Sequence, residues 1–367
     1  MEQTENGIFG RNDIDKARRK QMGVESRYNF KFGYLEHGER NLITDVPGVR
    51  VGHTTLHDGE IHTGVTAILP HGGDLFHDKC VAAAHVINGF GKSAGLVQVQ
   101  ELGTLETPIL LTNTLSVGTV STALVEYMLE RNSDIGVDTG TVNPVVMECN
   151  DGHLNDIRGL HVTKEHARAA LAAVSETFEE GDVGAGCGMS CYSLKGGIGS
   201  ASRKFSLYGE TYTVGTLLLT NFGTLRDLTI AGDHAGERLY AEERRAAEQD
   251  KGSVIIVIAT DAPLSARQLE RAAKRAQSGL ARTGSISGNG SGEIALAFTT
   301  RNRLPHYSSD RPENIAILYE EDMDMVFRAV IECVEESVIS SMLHAKTVTG
   351  RAGNTRKSLA DSLFPAK

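Results

Sequence analysis

Two short stretches carry side chains whose types and spacing could do covalent chemistry: Gly252 and Ser253, which open the run GSVIIVIATD, and the later segment Asn289, Gly290, Ser291, Gly292, Glu293. A hydroxyl nucleophile sheds its proton as it attacks, so it needs a base within reach and donors for the developing oxyanion. Histidine is the usual base. None of the thirteen histidines flanks Ser253 in sequence, which leaves those elsewhere to approach in the fold. Another base exists if the chain is cut before Ser253. The freed α-amine has an ordinary pKa of about 7.7–8.0, so roughly a tenth of it is neutral at pH 7. That amine sits on the same residue as its nucleophile, as in the N-terminal-amine variants of triad chemistry. Read more plainly, Gly-Ser is also a common loop ending before a buried strand.

The elements that must hold these groups are legible as patterns. Nine of the fifteen residues in 237–251 are charged. The β-branched run that follows reads as a strand buried on both faces. Ser265 and Gln268 form a capping box flanked by Leu264 and Leu269, which predicts a helix over 266–280, and Ala272, Ala273 and Ala276 give it a face that can sit close to a sheet. Strand patterns fall within 41–53, after a turn at Pro47 and Gly48, and at 64–70, 80–86, 95–99, 204–219 (a pair around Gly209), 294–299 and 315–319. Helical spacing marks 13–22, 117–131 through Val120, Leu124 and Met128, and a stretch capped by Thr163 through Ala167, Ala170, Leu171, Val174 and Phe178. A long closing helix carries Met323, Val326, Phe327, Val330, Val334, Val338 and Met342. Strands that cluster and helices that cluster predict an α+β chain layered helix, sheet, sheet, helix. Residues 1–40 read as an N-terminal arm and 41–367 as a single domain, with no internal repeat.

Composition excludes several classes. With 367 residues, 40% of them hydrophobic, the chain can bury a substantial core. A net charge of -10 without a lysine-arginine face argues against nucleic-acid binding. Five scattered cysteines make no disulfide framework and suit a reducing compartment. The polar N-terminus lacks a signal-peptide core, and no apolar run reaches membrane-spanning length, so a cytoplasmic protein without a membrane partner is expected. Gly91, Lys92 and Ser93 resemble the end of a phosphate-binding loop, but Val86 stands where the earlier glycine is required. The glycines of 184–199 lack dinucleotide-binding spacing. Cys187 with Cys191, and His77 with Cys80, have metal-ligand chemistry but no second matched pair, so no metal is expected.

The blocks NLITDVPGVRVGHTTL, LLTNTLSVGT, CNDGHLNDIRG, KGGIGSASR, GSVIIVIATDAPLSARQL and NGSGEIALAF resemble, in their order, those of the L-aminopeptidase D-esterase and β-peptidyl aminopeptidase family, over about residues 40–350. The resemblance implies a four-layer αββα sandwich similar to N-terminal-nucleophile hydrolases but differently connected, matured by self-cleavage between Gly252 and Ser253. It implies Ser253 as nucleophile, Ser291 and Glu293 as its polarising partners, Asn221 as an oxyanion donor, and Glu148 with Asn150 beside the free amine of a small peptide, amide or ester substrate. It further implies a homotetramer of processed protomers and no cofactor. Met147 and His153 depart from the family pattern, and both are expected to reshape the substrate pocket. Two other readings compete: an acyl transferase of the ornithine acetyltransferase type, against which Ser253 speaks because those enzymes use threonine, and a non-catalytic amine-binding protein.

Overall fold

The computed structural model describes residues 28–243 and 252–364. The helix expected at 13–22 lies outside them, as does most of the charged run before Gly252. Ten strands build the two main sheets. In chain order they are β1 (Arg50–Asp58), β2 (Ile61–Leu69), β3 (Asp78–Gly89), β4 (Thr104–Leu105), β5 (Ile109–Asn113), β6 (Val145–Cys149), then, after the short hairpin of β7 (Ser190–Cys191) and β8 (Leu194–Lys195), β9 (Gly197–Leu207), β10 (Glu210–Asn221), β11 (Ser253–Thr260) and β12 (Gly292–Pro305). One sheet runs β1-β2-β5-β6 and the other β4-β3-β12-β11-β10-β9.

Alternation along the strands divides the interior into three cores. On β11, Ile255, Val257 and Ala259 face the other sheet, where they meet Ile109, Leu111, Val145 and Met147. Val254, Ile256 and Ile258 point the opposite way and pack under the helices Ala266–Lys274, Ala276–Arg282 and Met323–His344. Val65, Ala67, Leu110 and Val146 on the outer face of the four-stranded sheet meet the helices Val117–Leu129 and Lys164–Ala172. The result is the αββα sandwich that the clustering of elements predicts. Period-2 alternation with both faces apolar is what a strand in the middle of four layers requires. Helices sit close where side chains are small: Ala295 and Ala297 of β12 meet Ala272, Ala273 and Ala276. A Cβ on Gly199 of β9 would overlap the Ser337 carbonyl of the closing helix.

Several expected boundaries move. Residues 95–99 are not a strand but the start of a helix, Leu96–Leu102. Leu96 and Val99 are its buried positions, one helical turn apart, while Val97 is 83% exposed. Residues 315–319 form no strand, because β12 already has β3 and β11 on its two edges. The Leu318 N–H is met instead by the Pro263 carbonyl and the Ala316 N–H by the Asn302 side chain. The helix expected over 266–280 is two helices meeting at Arg275. Its capping box forms as predicted, with Ser265 Oγ accepting from the Gln268 N–H. The helix after Thr163 stops at Ala172, so Val174 and Phe178 leave its stripe; the chain turns there to pair Ser175 with Val51 through two backbone hydrogen bonds of 3.0 Å. Among the described residues no helix is long and apolar enough to cross a membrane.

A buried charge cluster ties the described end of the N-terminal arm to the domain. Arg203 on β9 reaches Glu332 at 3.3 Å and Glu336 at 2.7 Å, both on the closing helix, and donates to the Phe32 carbonyl at 2.8 Å. Glu332 in turn accepts from the N–H groups of Tyr34 and Leu35, and Glu336 from the Asn41 amide. Taking one partner from such a cluster strands the other charges in a medium that cannot solvate them. Arg203→Met is therefore expected to cost about 3–5 kcal/mol, measured as a lower urea midpoint. An unchanged midpoint would show that the two glutamates need no cation.

Candidate active site

The ladder of the six-stranded sheet brings the predicted residues together. β10 is antiparallel to β11, so its last residue, Asn221, pairs with the first residue of β11, Ser253. β12 is parallel to β11, so its first residue, Gly292, pairs with Ser253 from the other side. Glu293 and Ser291 follow and precede that glycine. One end of the sheet thus collects a hydroxyl, a side-chain amide, and a serine-glutamate pair from three separate segments. The facing sheet contributes the end of β6: Cys149 approaches the Leu219 carbonyl at 3.5 Å, and its thiol lies beside the Ser253 hydroxyl.

Ser253 is 4% exposed, and beyond the approach of the Cys149 thiol its hydroxyl completes no hydrogen bond among the described residues. No histidine is engaged with it. A buried hydroxyl without a completed hydrogen bond is uncommon, and a reacting group is one of the situations that explain it. Ser291 donates to Glu293 at 3.1 Å, and both are fully buried. Asn221 is held from both ends: its Oδ1 accepts the Ser190 N–H at 2.9 Å and its Nδ2 donates to the Asn150 carbonyl at 3.0 Å. This fixes which end of the amide is the donor, and one N–H of Nδ2 is left over. Burial pushes the Cys149 thiol well above its ordinary range, with the Glu148 charge adding to the effect. The thiol therefore stays protonated beside the serine.

Glu148 is 3% exposed at the end of β6. Its Oε1 accepts the Lys92 N–H at 2.8 Å and its Oε2 the Thr114 hydroxyl. A Cβ on Gly91 would lie 3.7 Å from Glu148 Oε1 and 3.8 Å from the Gly292 Cα, so Gly91 lies between the carboxylate and the residue paired with Ser253. Asn150 enters differently from expectation. Its side chain closes a local turn onto the Gly152 N–H at 2.9 Å, and its contact with the site is through its carbonyl to Asn221.

Gly252 is required by space rather than by backbone dihedral. It is not among the glycines at positive φ. A Cβ there would overlap the Asn221 carbonyl and press on the Phe222 backbone. Its own carbonyl accepts the Gly292 N–H at 3.2 Å, which polarises the carbon bonded to Ser253.

Supporting residues carry no sequence signal of their own. Asn88, near the end of β3, donates to the Gly288 and Asn289 carbonyls at 3.2 Å and to that of Ser291, pinning the loop before Glu293. Lys195 is fully buried and donates to the carbonyls of Gly186, Met189 and Gly196, fastening the segment that presents the Ser190 N–H. Only a lysine in the glycine-dense block, far from any acidic residue in sequence, hinted at a buried role.

The model for peptidase family S58 matches residues 41–356. The chain belongs to that family. Among S58-related proteins it is 38% identical over 345 residues to the β-peptidyl aminopeptidase BapA of Sphingosinicella microcystinivorans, covering 88% of this chain and 86% of that one. It also superposes on a crystal structure of a Pyrococcus horikoshii OT3 protein with a TM-score of 0.88 and 50% identity, over 93% of this chain and 97% of that one. The L-aminopeptidase D-Ala-esterase/amidase of Ochrobactrum anthropi, described as a prototype of the serine aminopeptidases with a variant of the Ntn-hydrolase fold, matches with a TM-score of 0.84 at 35% identity, over 92% and 96% of the two chains. The fold of this chain is therefore the Ntn-like sandwich that the resemblance implied.

Asp151 follows Asn150 and is fully buried; burial pushes its carboxyl up to about 7, against hydrogen bonds from Thr63 and Asn155 that favour the anion. A raised carboxyl pKa means that the folded state holds the proton longer than the unfolded chain, whose value is about 3.9. The contribution to stability is full below pH ~4 and is lost as pH rises toward ~7. The melting temperature of the native protein relative to Asp151→Asn should fall across that window and level off above it. A difference independent of pH would show that Asp151 folds ionised.

Proposed function

We propose that this S58 protein is a self-processing serine aminopeptidase. The observation that carries the reading is the ladder register that places Ser253 between Asn221 and Gly292, with the Gly252 carbonyl already on the Gly292 N–H. In maturation, Ser253 Oγ attacks the Gly252 carbonyl carbon, its proton passing into the Ser291–Glu293 pair. The C–N bond breaks as the amine takes up a proton, and an ester links Gly252 to the serine oxygen. Water hydrolyses that ester, leaving residues 1–252 and 253–367 associated through the shared sheet, with a free amine on Ser253.

The mature serine then uses its own amine as base, aided by Ser291 and Glu293. It attacks the first peptide, amide or ester bond of a substrate, and the leaving group departs with the proton. Water releases the acyl group from Ser253. The remaining Asn221 N–H and backbone donors stabilise the oxyanion. Glu148 attracts the substrate's free ammonium, since its carboxylate is buried beside the strand end and a desolvated charge interacts strongly with its opposite. The named activities of the BapA and Ochrobactrum relatives, both aminopeptidases, support release of N-terminal residues. The same reading includes a cytoplasmic homotetramer of processed protomers.

Freshly purified protein should resolve into two bands on denaturing electrophoresis, and Ser253→Ala should remain one band and release no p-nitroaniline from alanine anilide. Turnover by that variant would remove Ser253 as nucleophile. Asn221→Ala should retain substrate binding while kcat falls roughly 10²–10³-fold, the effect of losing one oxyanion donor. An unchanged kcat, measured on protein shown to be processed, would assign the oxyanion to backbone donors alone.

A further inference from the structure

His57 and His62 are directly opposite each other in the register of the β1–β2 hairpin. Their rings lie edge to face, with centroids 4.5 Å apart. Cys187, which ends the 3₁₀ turn Gly184–Gly186, brings its Sγ to 3.9 Å from His57 Nδ1. One donor atom from each of the three residues lies within 4.8 Å of the other two. His62 is 2% exposed, and neither of its ring nitrogens completes a hydrogen bond among the described residues. The carbonyls of Gly59 and Thr349 flank that ring, where they can orient it. Cys187 is fully buried, whereas His57 is exposed and leaves the cluster open to solvent on one side. The sequence pairs Cys187 with Cys191 by spacing; the fold also sets it beside two histidines, its thiol donating to the Leu56 carbonyl at 3.5 Å.

A buried imidazole held by no more than the approach of the Gly59 and Thr349 carbonyls is poorly satisfied, and a metal ion is one of the groups that can complete its bonding. Two imidazoles and a thiolate are the soft and borderline donors that zinc prefers, and a three-residue set leaves a fourth position for water. Tetrahedral bonds of 2.0–2.3 Å place neighbouring donors roughly 3.5 Å apart. The exposed His57 side chain supplies the small closure this needs.

We propose that His57, His62 and Cys187 bind one zinc ion as a clamp between the β1–β2 hairpin and the segment leading to Ser190. Binding replaces the thiol proton, which leaves to water, by a zinc–sulfur bond. Three residues beyond Cys187, the Ser190 N–H holds Asn221 Oδ1, and Lys195 ties the carbonyls of Gly186 and Met189, on either side of Cys187. The ion would thus stiffen the support of a residue assigned to the oxyanion. Its presence is independent of that assignment, because it is read by metal content and spectrum rather than by turnover.

The test uses full-length protein freed of metal by chelator dialysis and titrated with zinc chloride or cobalt chloride, with affinity measured by competition against a chromophoric chelator. One ion per chain and a thiolate-to-cobalt charge-transfer band are expected. Cys187→Ser should lose the band. His57→Ala, a change at an exposed position that leaves the core untouched, should weaken zinc by more than the roughly 10–100-fold that loss of a supporting partner costs. Circular dichroism of the metal-free variants confirms that they are folded. No stoichiometric binding, or binding that both variants leave unchanged, would overturn the site and leave His62 to a buried water.

Discussion

A strand buried on both faces must have both of its backbone edges hydrogen-bonded, since no water reaches them. β11 meets this with β10 on one side and β12 on the other, and much of the molecule follows from that requirement. The ladders leave Ser253 no choice of neighbours. The residues paired with it are fixed by register, and a slip of one position would turn every apolar side chain of β11 into the wrong core. Packing in the two cores on either side of β11 therefore enforces the geometry at the strand's end. The site draws its precision from the hydrophobic sandwich as well as from its own hydrogen bonds.

The same burial explains the character of the site. Ser253, Ser291, Glu293, Glu148 and Asp151 are all nearly or wholly excluded from solvent. Such groups are tolerated when their hydrogen bonds are arranged in advance. Glu148 is met by a backbone N–H and a threonine hydroxyl, Asn221 is held at both ends of its amide, and Asn88 and Lys195 satisfy runs of loop carbonyls. The Ser253 hydroxyl, apart from the neighbouring Cys149 thiol, completes no hydrogen bond among the described residues. Preorganised donors around a reactive group need no rearrangement when charge develops, which is where electrostatic catalysis draws its strength.

Steric exclusion contributes as much as polarity. At Gly252 the backbone of β10 comes so close that no side chain fits, and the carbonyl there is turned onto the Gly292 N–H. Position 252 is thus specified by the approach of a neighbouring strand, not by a special dihedral. At the opposite face, the closing helix comes down on β9 at Gly199, and the buried Arg203 cluster fastens that helix to residues 32–41. The described end of the arm is in this way part of the domain's packing.

By itself, the sequence determined the layered α+β architecture, the doubly buried strand after Gly252, the capped helix that follows and the candidate pairing of Ser253 with Ser291 and Glu293, while Asn221 and Glu148 came as candidates through the family resemblance. These were readable because period-2 and period-3.6 patterns and helix caps are local, and because the residue blocks around the site keep their order. Short apolar stretches misled: Leu96, Val97 and Val99 read as strand yet coil into a helix, and residues 315–319 find no free edge on β12. Only the tertiary structure decided that Asn221 and Gly292 flank Ser253, that Asn150 acts through its carbonyl, and that Asn88, Lys195 and Cys149 stand around the site. It also decided that Cys187 belongs with His57 and His62. Each of these is a contact between residues far apart in the chain, set by strand register and by which faces are buried, and a local pattern holds no record of either.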